Sequence, residues 1–256
     1  MVVGFDKFKE YFESFRDEFI IIGGTAVQMV CGEAVAHPRV TKDIDVLVVS
    51  ERMTPAFSAA FHAFLSAGRY SCYVSKNGKP HFYRFVNPKT AGFPEMIELL
   101  SSTELDGDKS FMALPDVPDD SMSAIVLDRS YYEYAIKHST QDYGLPCLMR
   151  EALIVFKAAA YMNLLEEYRR TNDPLRLHDT KKHRRDVFML VADLEVDARA
   201  DAPADIQERM RQFIEVWNPA NQEWPDVLAS LGLRRDADPL PRINAFRRLF
   251  EMTVMS

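Results

Sequence analysis

A chain of 256 residues, 47% hydrophobic and 27% charged, with 10 Gly and 14 Pro, is not a disulfide mini-protein, a collagen-like repeat or a wholly disordered chain. It is long enough for one large domain or two small ones, with a sizeable core that needs no metal or disulfide staple. Its 31 basic and 38 acidic residues leave a formal charge of −7, which excludes a uniformly basic nucleic-acid coat but not a local basic patch.

Residues 5–19, FDKFKEYFESFRDEF, set Phe5, Phe8, Phe12, Phe15 and Phe19 at steps of three and four with charges between them, the pattern of an amphipathic helix. FIII at 19–22 has the pattern of a short buried strand, stopped by Gly23-Gly24. Thr25 is placed to cap a helix through AVQMVCGEA. A loop with His37-Pro38 leads to IDVLVV at 44–49, a β-branched strand, and then to a helix over 55–67. SCYVS and HFYRFV read as a hairpin around Asn77-Gly78. EMIELL (95–100) and SAIVLD (123–128) are further strands, and the polar stretch 103–120 between them reads as a loop or insertion.

After about residue 130 the pattern turns helical, with YYEYAIKH, then 150–170, 181–194, 204–217 and 241–252. An N-terminal α/β half over 1–128 is therefore followed by a helical half over 129–256. Cys31, Cys72 and Cys147 are widely spaced and form no CxxC, which points to reduced thiols and a cytoplasmic location. The start, MVVGFDKFKEYF, has no basic segment followed by a long apolar run, so neither a signal peptide nor a membrane partner is expected. No apolar run approaches the roughly 20 residues of a membrane span.

The chemistry concentrates in 19–49, FIIIGGTAVQMVCGEAVAHPRVTKDIDVLVV. Strand alternation puts Asp43 and Asp45 on one face, where two like charges repel unless a cation sits between them. Mg²⁺ takes a few carboxylate oxygens together with substrate phosphates. The Gly23-Gly24-Thr25 turn into a helix offers backbone N–H groups to a phosphate, and glycine allows its close approach. A lone DxD or a lone GG is an ordinary loop feature; strand, GGT, helix and DID in one run form a site for a metal-bound nucleoside triphosphate.

This run resembles the DNA polymerase β-like nucleotidyltransferase superfamily, with its strand, Gly-[Gly/Ser]-[Ser/Thr], helix and Asp-x-Asp. Arg39-Val40-Thr41-Lys42-Asp43-Ile44-Asp45 is similar to the R-x-[ST]-x-D-[IL]-D form of the AbiEii-type group, which includes toxins of abortive-infection toxin–antitoxin systems. The resemblance implies a third carboxylate on a later strand. EMIELL offers Glu98, flanked by Met96-Ile97 and Leu99-Leu100, with Glu95 as its competitor. In the helical half it extends to Glu151, to Lys157 in VFKAAAY, to Arg169 and to the K-x-x-x-D of Lys182 and Asp186. Lys157 either counters the triphosphate or lies at the rim of its helix, and Asp186 can pair with Lys157 or Lys182.

The implied fold is α+β, a mixed-sheet nucleotidyltransferase domain with helices and a mainly helical domain that closes the cleft. The implied reaction moves a nucleoside monophosphate from an NTP to an acceptor hydroxyl and releases pyrophosphate. Asp43, Asp45 and Glu98 are the expected catalytic and Mg²⁺-binding residues, for two ions. Gly23, Gly24, Thr25, Arg39, Thr41, Lys157, Lys182 and Asp186 are the expected nucleotide-binding residues. The acceptor is open: an RNA end such as tRNA, a protein or a small molecule. A non-catalytic nucleotide- or partner-binding module, with an antitoxin as possible partner, is the rival reading. The basic run 181–185 suits either phosphate binding or a solvated helix start, and Tyr131, Tyr132 and Tyr134 suit either base stacking or packing. The six His show no metal-ligand spacing, there is no Walker A, G-x-G-x-x-G or G-x-S-x-G, and Trp217 and Trp224 read as core or docking residues.

Overall fold

In the computed structural model the described residues are 2–32, 41–74, 80–102, 111–113 and 123–252. Arg39, the His37-Pro38 pair and the Asn77-Gly78 turn lie outside them. The chain divides into two compact units, one of Met1–Val30 and Arg39–Leu148, the other of Cys31–Pro38 and Met149–Ser256. The first unit thus runs on past the boundary expected at residue 128.

The first unit opens with helix α1 (Phe5–Phe12), then a short 3-10 turn, strand β1 (Phe19–Ile22), helix α2 (Gly23–Cys31), strand β2 (Asp43–Val48) and helix α3 (Pro55–Gly68). Strands β3 (Ser71–Val74), β4 (Pro80–Val86), β5 (Met96–Ser102), β6 (Phe111–Ala113) and β7 (Ser123–Leu127) follow, then helix α4 (Arg129–Lys137) and the short strands β8 (Ser139–Thr140) and β9 (Cys147–Leu148). The helix expected over 5–19 ends at Phe12, and Phe19 starts β1 instead. Strand β6 lies inside the stretch expected to be loop, and pairs antiparallel with β7.

Among the described residues the strands make one mixed sheet in the order β3-β4-β5-β2-β1-β9-β8, with β7 joined to the far end of β5. β1 is antiparallel to β2, and β2 is parallel to β5. Alternation sorts the sheet into two faces. On one, Phe19, Ile21, Ile44, Val46, Val48, Phe85, Ile97 and Leu99 are buried. The Phe stripe of α1 and Phe57, Phe61 and Phe64 of α3 cover this face, with Phe12 and Phe8 edge-on to Phe19 at 6.0 and 5.8 Å and Phe61 edge-on to Phe85 at 5.9 Å. Burying so much aromatic surface on one face fixes the register, because a one-residue slip would turn every carboxylate into this core. Helix α3 is started by Thr54, whose hydroxyl accepts from the Phe57 N–H, with Pro55 at its first position.

The second unit is helical: α5 (Arg150–Thr171), α6 (Pro174–Leu190), α7 (Ala204–Val216), α8 (Trp224–Ser230) and α9 (Leu240–Leu249). α5 and α6 form a hairpin whose turn is written in three residues. Asn172 takes the left-handed conformation that ends α5, Asp173 accepts from the Leu175 N–H, and Pro174 opens α6. α6 therefore begins seven residues before the stretch expected from 181. Its core gathers Tyr161, Phe188, Phe213, Trp217, Trp224 and Phe246, so both tryptophans are core residues. The architecture is the expected α+β one, a mixed-sheet domain with helices followed by a mainly helical domain. Among the described residues no helix is long and apolar enough to cross a membrane.

Candidate functional site

β1 passes into α2 without a loop, and Gly23 is the joint, with φ +66. A residue with a Cβ enters that left-handed region at a cost of about 1–2 kcal/mol. Space excludes a side chain there as well. Ile22 is the register partner of Asp45, so the next residue meets the Asp45 side chain, and a Cβ on Gly23 would lie 1.9 Å from Asp45 Oδ2. The first turn of α2 is also tied to β2 by Thr25, which is fully buried and donates its hydroxyl to the Asp43 carbonyl at 2.6 Å. Thr25, expected as a helix cap, is instead the third residue of α2, and its hydroxyl is committed to β2.

The parallel pairing of β2 with β5 sets Asp43 beside Met96 and Asp45 beside Glu98. Across the next ladder Glu98 faces Arg84. Ile22, Asp45, Glu98 and Arg84 therefore form one row over four strands, with side chains on the face opposite the aromatic core. Asp43 and Asp45 are half-buried there, as their strand's alternating burial requires. Glu95 falls on the other face, where it is exposed and ion-paired with Lys42 at 2.8 Å. Its hydrogen bond and charge hold the Lys42 ammonium above its ordinary pKa. Of the two glutamates in EMIELL, Glu98 shares the face of the DxD pair.

Arg84 is the residue of this row that sequence reasoning missed. Its Nε donates to Glu98 Oε2 at 3.1 Å and its Nη2 to Oε1 at 3.0 Å, a bidentate pair. The guanidinium carbon lies 5.3 Å from the Tyr73 ring centroid and 5.9 Å from that of Tyr83, within cation–π range. Burial pulls the Arg84 pKa down, but the hydrogen bonds and charge of Glu98 more than offset it and leave it above its ordinary value. Among the described residues no three His, Cys, Asp or Glu side chains form a group able to hold a metal ion. Asp43 and Asp45 share a strand face, and both oxygens of Glu98 accept from Arg84. The signal was present in HFYRFV, a strand of aromatics interrupted by one arginine, but its partner depended on a register that the sequence does not state.

Thr41 is buried just ahead of β2, and Arg39 lies outside the described residues. In the second unit Lys157 and Asp186, 4% and 2% exposed, meet each other, with Nζ 2.9 Å from Oδ2 as an ion pair without hydrogen-bond directionality. Lys157 thus has a carboxylate partner within its own helical unit. Lys182 is half-buried and sits 3.9 Å from Asp179, not on Asp186. The basic run 181–185 is divided around α6: Arg184 is buried, paired with Glu223 and seated 5.2 Å from the Trp217 ring, while Arg185 donates to the Ser230 carbonyl. Tyr132 and Tyr134 are buried. Tyr132 donates to Glu51 and accepts from the Ser50 N–H, and Tyr134 packs on His138, so both act in packing rather than base stacking.

No protein-family model and no curated protein matches the chain. Among solved structures it is similar to an antigenic nucleotidyltransferase-like protein from Paracoccidioides brasiliensis, at 15% identity and a TM-score of 0.42, over 91% of each chain.

Proposed function

We propose that the first unit is a nucleotidyl-transfer domain, and the observation that carries this is the fit of Gly23 to Asp45. The strand–GGT–helix turn is packed so closely on the DxD strand that the Asp45 carboxylate fills the space of the missing Gly23 side chain. A turn that rejects a side chain, set against two aspartates on one strand face, suits a phosphate chain approaching backbone on one side and carboxylates on the other. Asp43 and Asp45 would hold a divalent cation, Mg²⁺ by the oxygen-only donor set, which when bound neutralises phosphate charge and polarises the phosphoryl oxygens.

In the proposed reaction the acceptor oxygen forms a bond to the α-phosphorus of an NTP. The bond from that phosphorus to the bridging oxygen of pyrophosphate breaks, and the acceptor proton leaves to a base. Gly23 and Gly24 direct the phosphates. Acceptors of three classes remain in play: an RNA end such as tRNA, a protein hydroxyl and a small molecule. The free Cys31, Cys72 and Cys147 suit a reducing, cytoplasmic setting.

One observation favours the rival, a non-catalytic nucleotide- or antitoxin-binding module: Arg84 occupies the carboxylate that a second metal would use. The test is incubation with each α-labelled NTP and Mg²⁺, with and without total tRNA. Label is expected on an acceptor, and to fall by about a hundredfold or more in Asp43→Asn and in Asp45→Asn, since even outer-shell partners of a metal are worth 10–100-fold. NTP binding by calorimetry without label transfer to any acceptor would leave the binding module. Transfer undiminished in both variants would remove the DxD pair from the site.

A further inference from the structure

Arg84 has no part in the transfer reading, yet it stands in the same row as Asp45. The row gives that reading a direction. Ile22, which leads into the Gly23 turn, lies at one end; Asp45, Glu98 and Arg84 follow on successive strands about 4.8 Å apart. In an in-line displacement the acceptor oxygen enters opposite the leaving group. With pyrophosphate leaving along the Gly23 turn, the acceptor comes from the far end of the row, past Glu98 and Arg84. The charges at that end decide what it can recognise. Arg84 holds both oxygens of Glu98, so the carboxylate that a cationic acceptor would need is already neutralised, and a guanidinium stands beside it. The same fork matches a phosphate. About a third of the Arg84 side chain is exposed, and the ring faces of Tyr73 and Tyr83 seat its guanidinium independently of Glu98. Arg84 can therefore trade Glu98 for an incoming anion from the place it already holds.

We propose that Arg84 recognises the acceptor, and that the acceptor is a hydroxyl compound carrying a phosphate, which takes over the guanidinium from Glu98. The inference rests on the transfer reading for the side from which the acceptor enters. An RNA 3′ end and a small phosphate ester share this chemistry. A cationic sugar and an uncharged peptide hydroxyl lack it. A purely structural salt bridge would leave acceptor binding unchanged when either partner is replaced.

The test measures binding to the NTP-free full chain without added metal, so that turnover does not enter. The probes are a 5′-fluorescein RNA hexamer with a free 3′ hydroxyl, ribose 5-phosphate, a cationic aminoglycoside and a serine peptide. Wild type is expected to prefer the two phosphate probes. A tighter RNA hexamer then identifies a polynucleotide end as the source of the phosphate, and a tighter ribose 5-phosphate a small ester. Arg84→Met keeps the aliphatic stem against the tyrosines and should weaken the preferred probe about tenfold or more. Glu98→Gln removes the competitor and should tighten it about threefold or more. Arg84→Met/Glu98→Gln restores the wild-type net charge and should still bind as weakly as Arg84→Met. No binding of either phosphate probe to wild type, tighter binding of the aminoglycoside or peptide, unchanged affinity in Arg84→Met, or a double variant within about threefold of wild type would each overturn the proposal. Should Arg84→Met not fold, the comparison of wild type with the charge-neutral double variant still decides. Label transfer whose acceptor KM is unaltered in Arg84→Met sinks this inference alone. The expected binding pattern without label transfer sinks the transfer reading alone.

Discussion

At the residue scale the site is built around an absent side chain. Gly23 is needed twice over, once for a left-handed joint between β1 and α2, and once because the Asp45 carboxylate lies where a Cβ would be. The two demands have different consequences, which makes Gly23→Ala informative. The backbone term should cost about 1–2 kcal/mol of stability, measurable by urea unfolding. The Cβ must also push the Asp45 carboxylate from its place, so label transfer should fall about tenfold or more in protein that is still folded. A variant that loses the stability but keeps full transfer would show that the close approach belongs to packing and not to the site. Thr25 makes the complementary point: its type and its place after two glycines suggested a helix cap, whereas its hydroxyl bonds β2 and stiffens the joint. Residue types in a motif were legible from the sequence. Which atom each would address was not, since that depends on how closely two elements pack.

At the scale of elements, what could be read was what periodicity encodes. The Phe stripe of α1, the capped α3, the β3–β4 pair, β5 and the long α5 all announce themselves by spacing and end signals. Strand β6 and helix α8, three and seven residues long, are too short to carry a period, and α6 starts early because Asp173-Pro174 nucleates it ahead of its apolar stripe. Strand register was equally hidden, and with it the pairing of Glu98 with Arg84, although the apolar flanking of Glu98 already favours it over Glu95. The α5–α6 hairpin shows the same limit from the other side. Lysine in VFKAAAY signalled an anionic partner, and Asp186 one helix later supplies one. If that pair serves the hairpin, Lys157→Met leaves the buried Asp186 with Arg185, 3.9 Å away, as its remaining ion-pair partner and should cost up to about 3–5 kcal/mol. Lys157→Met/Asp186→Leu should recover most of that loss, because an apolar pair of similar volume replaces the ions at little cost. Urea unfolding of the three proteins checks it, and a double variant no more stable than the single would show that the ions are doing something apolar packing cannot.

At the scale of the whole molecule, stability against pH follows from which acids the two cores conceal. In the first unit, burial together with the nearby Asp142 pushes the Cys147 thiol up to about 12. In the second, burial raises the Tyr161 hydroxyl to about 12, helped by the charge of Glu223. Unfolded, these groups ionise near their ordinary values, about 8.5 for a thiol and 10 for a phenol. Above those values the unfolded chain therefore binds fewer protons than the folded one, so stability must fall as pH rises. Their contribution is intact below about pH 8.5 and is lost from there to about 12, first through the thiol and then through the phenol, at about 1.4 kcal/mol per pH unit for each group fully in its window. The two units can be followed separately, because both tryptophans of the chain lie in the second. Tryptophan fluorescence should give a urea midpoint for that unit that is flat to about pH 9.5 and then declines, with a shallower decline in Tyr161→Phe. Alkylation of Cys147 reports the first unit, and should be negligible at pH 8 in native protein while half-exposed Cys72 reacts. Near-ultraviolet circular dichroism of Cys147→Ala should lose the part of the alkaline decline that begins near pH 8.5. A wild-type protein whose midpoints hold level to pH 11 would mean that neither acid is shielded from water in its core.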